Sequence, residues 1–137
     1  MKRSLCWLIL AVAWEALAVA APPSTPPEET RVTLGGVLVV QFRAASGGFS
    51  PVRRAATMEN RIVEILSRPD LTPDAVRVTP GKGGRSATIT VGPILLVTVT
   101  EADAQANRST PMKLATTWAE SFRRGYAEAR PEPARGP

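Results

Sequence analysis

Two carboxylates directly follow a strongly apolar segment in the second half of the chain. Residues 94–100 read ILLVTVT, a run that favours a β-strand, and Glu101 and Asp103 come next. Ligands of α/β proteins often bind just beyond the carboxyl ends of strands. Two carboxylates can act as general acid and base when one of them lies in an apolar pocket. An exported hydrolase that uses these carboxylates is therefore one hypothesis, although the sequence shows no third member of such a site.

The same residues fit the start of a helix. Thr100 and Asp103 have the T-x-x-D spacing of a capping box, in which hydroxyl and carboxylate each accept a backbone N–H. Glu101 and Asp103 also lie in the first turn, where negative charge meets the positive end of the helix. Each such contribution is worth roughly 0.5–2 kcal/mol, which explains both acids without any chemistry. We predict Thr100 and Asp103 as structural helix caps, together with Ser50 and Thr110 before two longer helices.

The composition removes the commonest catalytic and metal-binding groups. Histidine is absent, and cysteine occurs once, at Cys6. The usual zinc ligand sets, Cys–His nucleophiles and Ser–His–Asp triads are therefore excluded. We predict a protein that is not an enzyme, with no catalytic residue, no metal ligand and no cofactor.

The chain is basic, with 17 Lys and Arg, 12 Asp and Glu and a net charge of +5. Arg53 and Arg54 lie beside a predicted helix start, and Lys82 and Arg85 lie in PGKGGR, which lacks the order of a phosphate-binding loop. These four residues are weak candidates for contact with an anion or a partner, and solvated surface charge is the alternative. Phe49 is expected to pack on the helix start as a hydrophobic staple. Acidic residues are interleaved with the basic ones and no aromatic platform accompanies them, so we expect no nucleic acid as partner.

The first twenty residues have the layout of a secretory signal peptide. Lys2 and Arg3 precede an apolar run over residues 5–14, and an A-x-A site ends at Ala20. We predict cleavage after Ala20 and a periplasmic or secreted protein with no stable membrane insertion after cleavage. The alternative is an uncleaved anchor, although the apolar run is shorter than the ~20 residues that span a bilayer.

Polar, proline-rich segments flank a single predicted domain. Residues 21–30 (APPSTPPEET) indicate an extended linker and residues 130–137 a disordered tail, which leaves residues 31–129 for the fold. The pattern predicts the order β-α-β-β-β-α, with a short helix before the last one. The expected class is α+β: a sheet of about four strands packed on one face by two main helices.

Four local expectations follow from this pattern. Residues 31–44 should form one strand, bent at a Gly-Gly pair. Residues 94–100 are apolar enough for a central strand, and residues 75–79 should form an edge strand that is open to pairing with a partner. Trp118 and Phe122 should be the largest side chains of the core.

The order of these segments resembles a known family. A strand is followed by the helix SPVRRAATMENRIVEIL, a hairpin, the segment ILLVTVTEADA and the helix PMKLATTWAESFRRGYAEA. This arrangement is similar to the periplasmic N-terminal domain of bacterial (cyanobacterial-type) small-conductance mechanosensitive ion channel family proteins. The likeness runs from about residue 32 to residue 129. The matching positions are mostly caps and core residues: Ser50, Pro51, Arg54, Ala55, Arg61, Val99, Thr100, Asp103, Ala104, Leu114, Ala115 and Trp118.

The resemblance implies an α+β fold and a role beside a membrane protein, and it carries over no catalytic residue. Such channels continue into membrane helices, whereas this sequence stops at Pro137, so we do not expect it to conduct ions by itself. We expect a non-enzymatic exported binding or regulatory domain of the cell envelope, accessory to a membrane channel or transporter. An orphan fragment of a mechanosensitive channel gene and a carboxylate-dependent exported hydrolase are the alternatives. Ligand and oligomeric state stay open.

Overall fold

The computed structural model describes residues 30–130. The strands are β1 (Arg31–Leu34), β2 (Val37–Gln41), β3 (Val76–Pro80), β4 (Ser86–Val91) and β5 (Ile94–Thr100). The α-helices are α1 (Pro51–Ser67), α2 (Glu101–Ala106) and α3 (Pro111–Ala129), and short 3-10 turns occupy Pro73–Ala75 and Lys82–Gly84. The predicted α+β class is confirmed. The predicted signal peptide, and all but one residue each of the predicted linker and tail, lie outside the described residues.

The five strands, close to the four expected, form two antiparallel sheets rather than one. β1 and β2 form a hairpin, and β3, β4 and β5 form a three-stranded sheet in that order. Residues 31–44 do not form one bent strand, because the chain reverses at Gly35 and Gly36. Their φ angles of 55° and 78° lie in the left-handed region, which a tight hairpin turn requires and which glycine adopts with little strain.

β5 lies at an edge of the three-stranded sheet, so the prediction that this apolar segment is central is wrong. The central strand is β4, and β3 is the other edge strand. The register shifts beyond Ile89, which pairs with Val97, and this irregularity leaves Leu96 without a cross-strand partner. Leu96 and Val97 are both buried as a result, although strict alternation would expose one of them. The apolar character of β5 thus reflects the bulge and the packing of α1 on this strand.

α3 packs against both sheets and joins them into one hydrophobic core. Its apolar residues recur at three- and four-residue steps, so they share one face of the helix. The largest of them are all buried: Leu114, Trp118, Phe122 and Tyr126. Trp118 and Phe122 are core residues as expected, but they are not its two largest side chains, because the buried Tyr126 is larger than Phe122.

Phe42 is a core residue that sequence reasoning missed. It directly follows β2 and is fully buried. Its ring meets that of Trp118 edge to face, with centroids 5.8 Å apart and an interplanar angle of 74°. The aromatic pair fixes the end of β2, and with it the loop that leads into α1.

The two main helices begin at hydroxyl caps followed by proline. The Ser50 hydroxyl accepts the Arg53 backbone N–H at 3.3 Å, and the Thr110 hydroxyl accepts the Lys113 N–H at 3.3 Å. Within residues 30–130 no helix is long and apolar enough to cross a membrane.

Candidate binding groove

A groove of about 370 Å³ lies between α1, the edge strand β5 and the loop that joins β2 to α1. It is called the α1–β5 groove below. The side contributed by α1 consists of Arg54, Thr57, Met58 and Arg61. Because these positions are three, four and seven residues apart, the helix presents them on one face. β5 contributes residues 95–98 and Thr100.

The loop before α1 closes one end of the groove. Ser46 and Phe49 exchange two backbone hydrogen bonds of 3.1 and 3.0 Å, and Gly47 and Gly48 between them have positive φ angles. This tight turn places Phe49 at the mouth of the groove, where 44% of it is exposed. The guanidinium of Arg53 lies 4.8 Å from the Phe49 ring centroid. Phe49 therefore contributes exposed apolar and aromatic surface to the groove, whereas a hydrophobic staple would bury its ring against the start of the helix.

Arg54 is held by internal contacts on every side. Its two terminal nitrogens donate to the two carboxylate oxygens of Asp103 at 2.6 and 2.7 Å. The same nitrogens donate to the backbone carbonyls of Ala44, at 2.8 Å, and Thr98, at 3.2 Å. Its guanidinium also lies 4.5 Å from the Phe42 ring centroid. The arginine thus joins α1, the preceding loop, β5 and α2, and its terminal N–H groups are taken up by the fold rather than by an external anion.

Asp103 completes this internal network. Its carboxylate accepts the Thr100 backbone N–H at 2.9 Å and the Thr100 hydroxyl at 3.0 Å, besides the two bonds from Arg54. The Thr100 hydroxyl in turn accepts the Asp103 N–H at 3.3 Å, so the capping box is present. Asp103 is 1% exposed, whereas Glu101 is exposed on the first turn of α2. The two carboxylates therefore do not face a common cavity.

Arg61 is a groove residue that sequence reasoning did not select as a site. Its guanidinium donates to the Leu96 carbonyl at 3.2 Å, and it forms no ion pair with any side chain of residues 30–130. A guanidinium has five N–H donors, so those of Arg61 that do not bond Leu96 are available to a ligand in the groove that Arg61 lines. The signal that could have found Arg61 is its spacing of seven residues from Arg54, two helical turns along the same face.

The two groove arginines also cover the free edge of β5. Arg54 bonds the Thr98 carbonyl and Arg61 bonds the Leu96 carbonyl, two alternate positions of the strand. An edge strand normally offers such groups to another strand. The arginines occupy the acceptors that an added strand would need, so this edge is protected although it borders a groove.

The remaining basic candidates lie elsewhere. Lys82 and Arg85 are exposed in the turn between β3 and β4, and neither lines the groove. Arg53 is exposed beside Phe49. The structure therefore does not bring the four predicted contact residues into one site. In the part of the chain that the structure describes, no cluster of three or more His, Cys, Asp or Glu could hold a metal ion.

A family match covers the whole of this architecture. The model of a domain of unknown function, DUF8459, matches residues 31–129, from the first residue of β1 to the last residue of α3. The chain belongs to the DUF8459 family. No curated protein and no solved structure matches the chain.

Proposed function

We propose that this DUF8459 chain is a non-enzymatic, exported binding and regulatory domain of the cell envelope, whose ligand occupies the α1–β5 groove. One observation carries the proposal. Arg61, a cation without an ion pair to any side chain of residues 30–130, faces a groove whose exposed lining is more apolar than polar. Pockets of this kind, mostly apolar with a few placed polar groups, are typical of sites for small ligands.

The state of the carboxylates supports binding over hydrolysis. A general acid or base must reach the proton of its substrate. Asp103 is 1% exposed and its oxygens already accept four hydrogen bonds from Arg54 and Thr100. Glu101 is exposed and does not line the groove. The carboxylate chemistry of the alternative hypothesis therefore has no support in this arrangement.

The proposed location and partner rest on the sequence. The signal-peptide pattern that ends at Ala20 supports export. The resemblance to the periplasmic domain of mechanosensitive channel proteins supports a role beside a membrane channel or transporter. In this proposal, ligand binding in the groove regulates the membrane partner.

The proposal is tested by capture from the native host with a C-terminal tag and mild detergent. Wild type is compared with Thr57→Trp, which fills the groove, and with Thr116→Trp. The two threonines are a matched pair, because each is exposed in a helix and bonds the carbonyl four residues earlier at 2.9 Å. Co-purifying proteins and small molecules are identified by mass spectrometry.

We expect wild type and Thr116→Trp to retain a co-purifying ligand or membrane protein that Thr57→Trp loses. The same set from all three proteins, or nothing from any of them, would contradict a groove-based binding function. The mature mass from the same samples tests export, since cleavage after Ala20 is expected.

A further inference from the structure

The charge inside the α1–β5 groove has one sign. Arginine is the charged residue type among the described residues that line the groove, and no carboxylate of that part of the chain is among them. Arg54 is neutralised by Asp103, whereas Arg61 donates to the Leu96 carbonyl. The uncompensated charge in the groove is therefore the Arg61 guanidinium, and a ligand with one negative group complements it.

Apolar side chains form a large part of the walls around this charge, beside serine and threonine residues. Phe42, Met58, Leu96 and Val97 line the groove but are at most 5% exposed. The apolar surface open to a ligand comes mainly from Phe49 and Leu95, which are 44% and 38% exposed. Free inorganic anions gain nothing from such walls, because their whole surface is strongly hydrated. A ligand that buries a hydrocarbon body against these side chains gains about 25 cal/mol for each Å² removed from water.

The dimensions and the strand edge argue for a small molecule. A volume of about 370 Å³ is near the lower end of the size range of ligand pockets. An extended peptide that pairs with β5 would need the carbonyls of Leu96 and Thr98, which Arg61 and Arg54 already bond. An added strand would have to share both carbonyls with the arginine side chains or displace those side chains.

We infer that the α1–β5 groove binds a small organic monocarboxylate with an apolar body, and that Arg61 contacts its carboxylate. This inference deepens the proposed function and rests on the groove being the binding site. The planar guanidinium matches a carboxylate in two parallel hydrogen bonds, a geometry that lysine does not reproduce.

Calorimetric titrations and amide chemical shifts of the protein purified from its host envelope test the inference. Octanoate is the probe. Octan-1-ol has a comparable hydrocarbon chain without the charge, and acetate has the charge without the long chain. The variants are Arg61→Gln and Arg61→Lys, with Arg85→Gln as a charge-matched control on the exposed turn between β3 and β4. Urea unfolding checks that each variant is folded.

Octanoate should bind saturably and change the amide chemical shifts of residues 95–98. Its affinity should be at least tenfold higher than that of octan-1-ol or acetate. Arg61→Gln should weaken octanoate binding at least tenfold, Arg61→Lys should weaken it less, and Arg85→Gln should leave it unchanged. Arg61→Lys keeps the positive charge, so comparing it with wild type remains informative even if Arg61→Gln perturbs the local fold.

Equal affinity for octanoate and octan-1-ol would overturn the inference and leave the proposed function standing, since the groove would still bind a ligand. Equal weakening by Arg61→Gln and Arg85→Gln would reduce the effect to net charge and also overturn it. The inference would also be overturned if no probe changed the amide chemical shifts of the groove residues. Displacement of octanoate by an extended peptide that pairs with β5 would overturn it as well. The proposed function itself is decided separately by the capture experiment with Thr57→Trp.

Discussion

Two ion pairs in residues 30–130 differ in burial, and burial determines how much the loss of one partner destabilises the fold. The Arg68–Asp70 pair has its closest atoms 3.3 Å apart, and its side chains are 40% and 62% exposed. Such surface pairs contribute about 0–1 kcal/mol. The Arg54 and Asp103 side chains are 9% and 1% exposed, and each has further hydrogen bonds that satisfy its remaining groups. Removal of one partner from a buried pair leaves an unpaired charge in the interior.

We predict that Asp103→Asn lowers the free energy of unfolding by roughly 3–5 kcal/mol, because Arg54 loses its counter-charge. Urea unfolding followed by Trp118 fluorescence measures the change. Glu101→Gln, which removes an exposed carboxylate from the same helical turn, should lower the free energy by at most about 1 kcal/mol, because it loses only the interaction with the helix end.

The double variant Arg54→Met/Asp103→Asn separates the ion pair from other effects. It leaves neither charge buried. Its loss of unfolding free energy should therefore be smaller, by roughly 1–3 kcal/mol, than the sum of the losses in Arg54→Met and Asp103→Asn. Strict additivity would show that Asp103 stabilises the fold through the Thr100 capping box and not through Arg54.

At the scale of elements, the β1–β2 hairpin docks on α3 through two glycines. A Cβ atom at Gly125 of α3 would lie 2.6 Å from the Leu34 carbonyl oxygen. A Cβ atom at Gly35 in the hairpin turn would lie 2.5 Å from the Gly125 carbonyl oxygen. Helix and turn therefore approach backbone to backbone, which explains a glycine in the middle of a helix that would otherwise favour alanine.

The hairpin turn offers a matched pair of substitutions. Gly35→Ala and Gly36→Ala both place alanine at a positive φ, which costs roughly 1–2 kcal/mol. A Cβ at Gly36 meets nothing within 4 Å, whereas one at Gly35 meets the backbone of α3. We expect Gly35→Ala to lower the midpoint of thermal unfolding clearly more than Gly36→Ala, with an extra cost of roughly 1–3 kcal/mol. Equal midpoints would mean that the hairpin shifts away from α3 at little cost.

The cap of α3 gives a second test at this scale. Thr110→Ala removes the hydroxyl that accepts the Lys113 N–H and should cost about 1 kcal/mol in urea unfolding. Thr117→Ala removes an exposed hydroxyl of the same helix that bonds a carbonyl already used by the helix. It should be neutral or stabilising, because alanine has the higher helix propensity. A larger loss at Thr117 than at Thr110 would contradict the assignment of Thr110 as the cap.

At the scale of the whole molecule, the positive charge of the chain serves the fold in several places. Arginines donate to backbone carbonyls that lie far away in sequence: Arg54 to Thr98, Arg61 to Leu96, Arg123 to Val76 and Arg130 to Arg68. Each contact ties a helix, or the residue after it, to a strand or loop. A net charge of +5 is therefore a weak indicator of an anionic partner here, since several of the arginines that produce it also have structural contacts.

The shared helix α3 also determines how the domain unfolds. Because α3 packs on both sheets, neither sheet keeps a complete core without it. We predict that a protein consisting of residues 30–130 unfolds in one cooperative transition, with coincident curves from Trp118 fluorescence and far-ultraviolet circular dichroism. Two separated transitions would show that the β1–β2 hairpin, or the three-stranded sheet, is stable by itself.

Several features were determined by the sequence alone. The caps at Ser50, Thr100 and Thr110 and the turn between β4 and β5 depend on residues within a few positions of one another. The apolar periodicity of α1 and α3 and the α+β class follow from equally local patterns. Short-range hydrogen bonds and side-chain periodicity are sufficient to specify such elements.

The tertiary structure decided the rest, because it depends on groups that are far apart along the chain. Arg54 and Asp103 are 49 positions apart, and their contact shows that a candidate anion-binding residue and a candidate catalytic acid neutralise each other. The edge position of β5 follows from which strands pair, and no local pattern encodes that choice. Arg61 becomes a candidate ligand contact only when α1 lies against β5, since its place in the groove and the lack of a counter-charge among residues 30–130 are properties of the packed molecule.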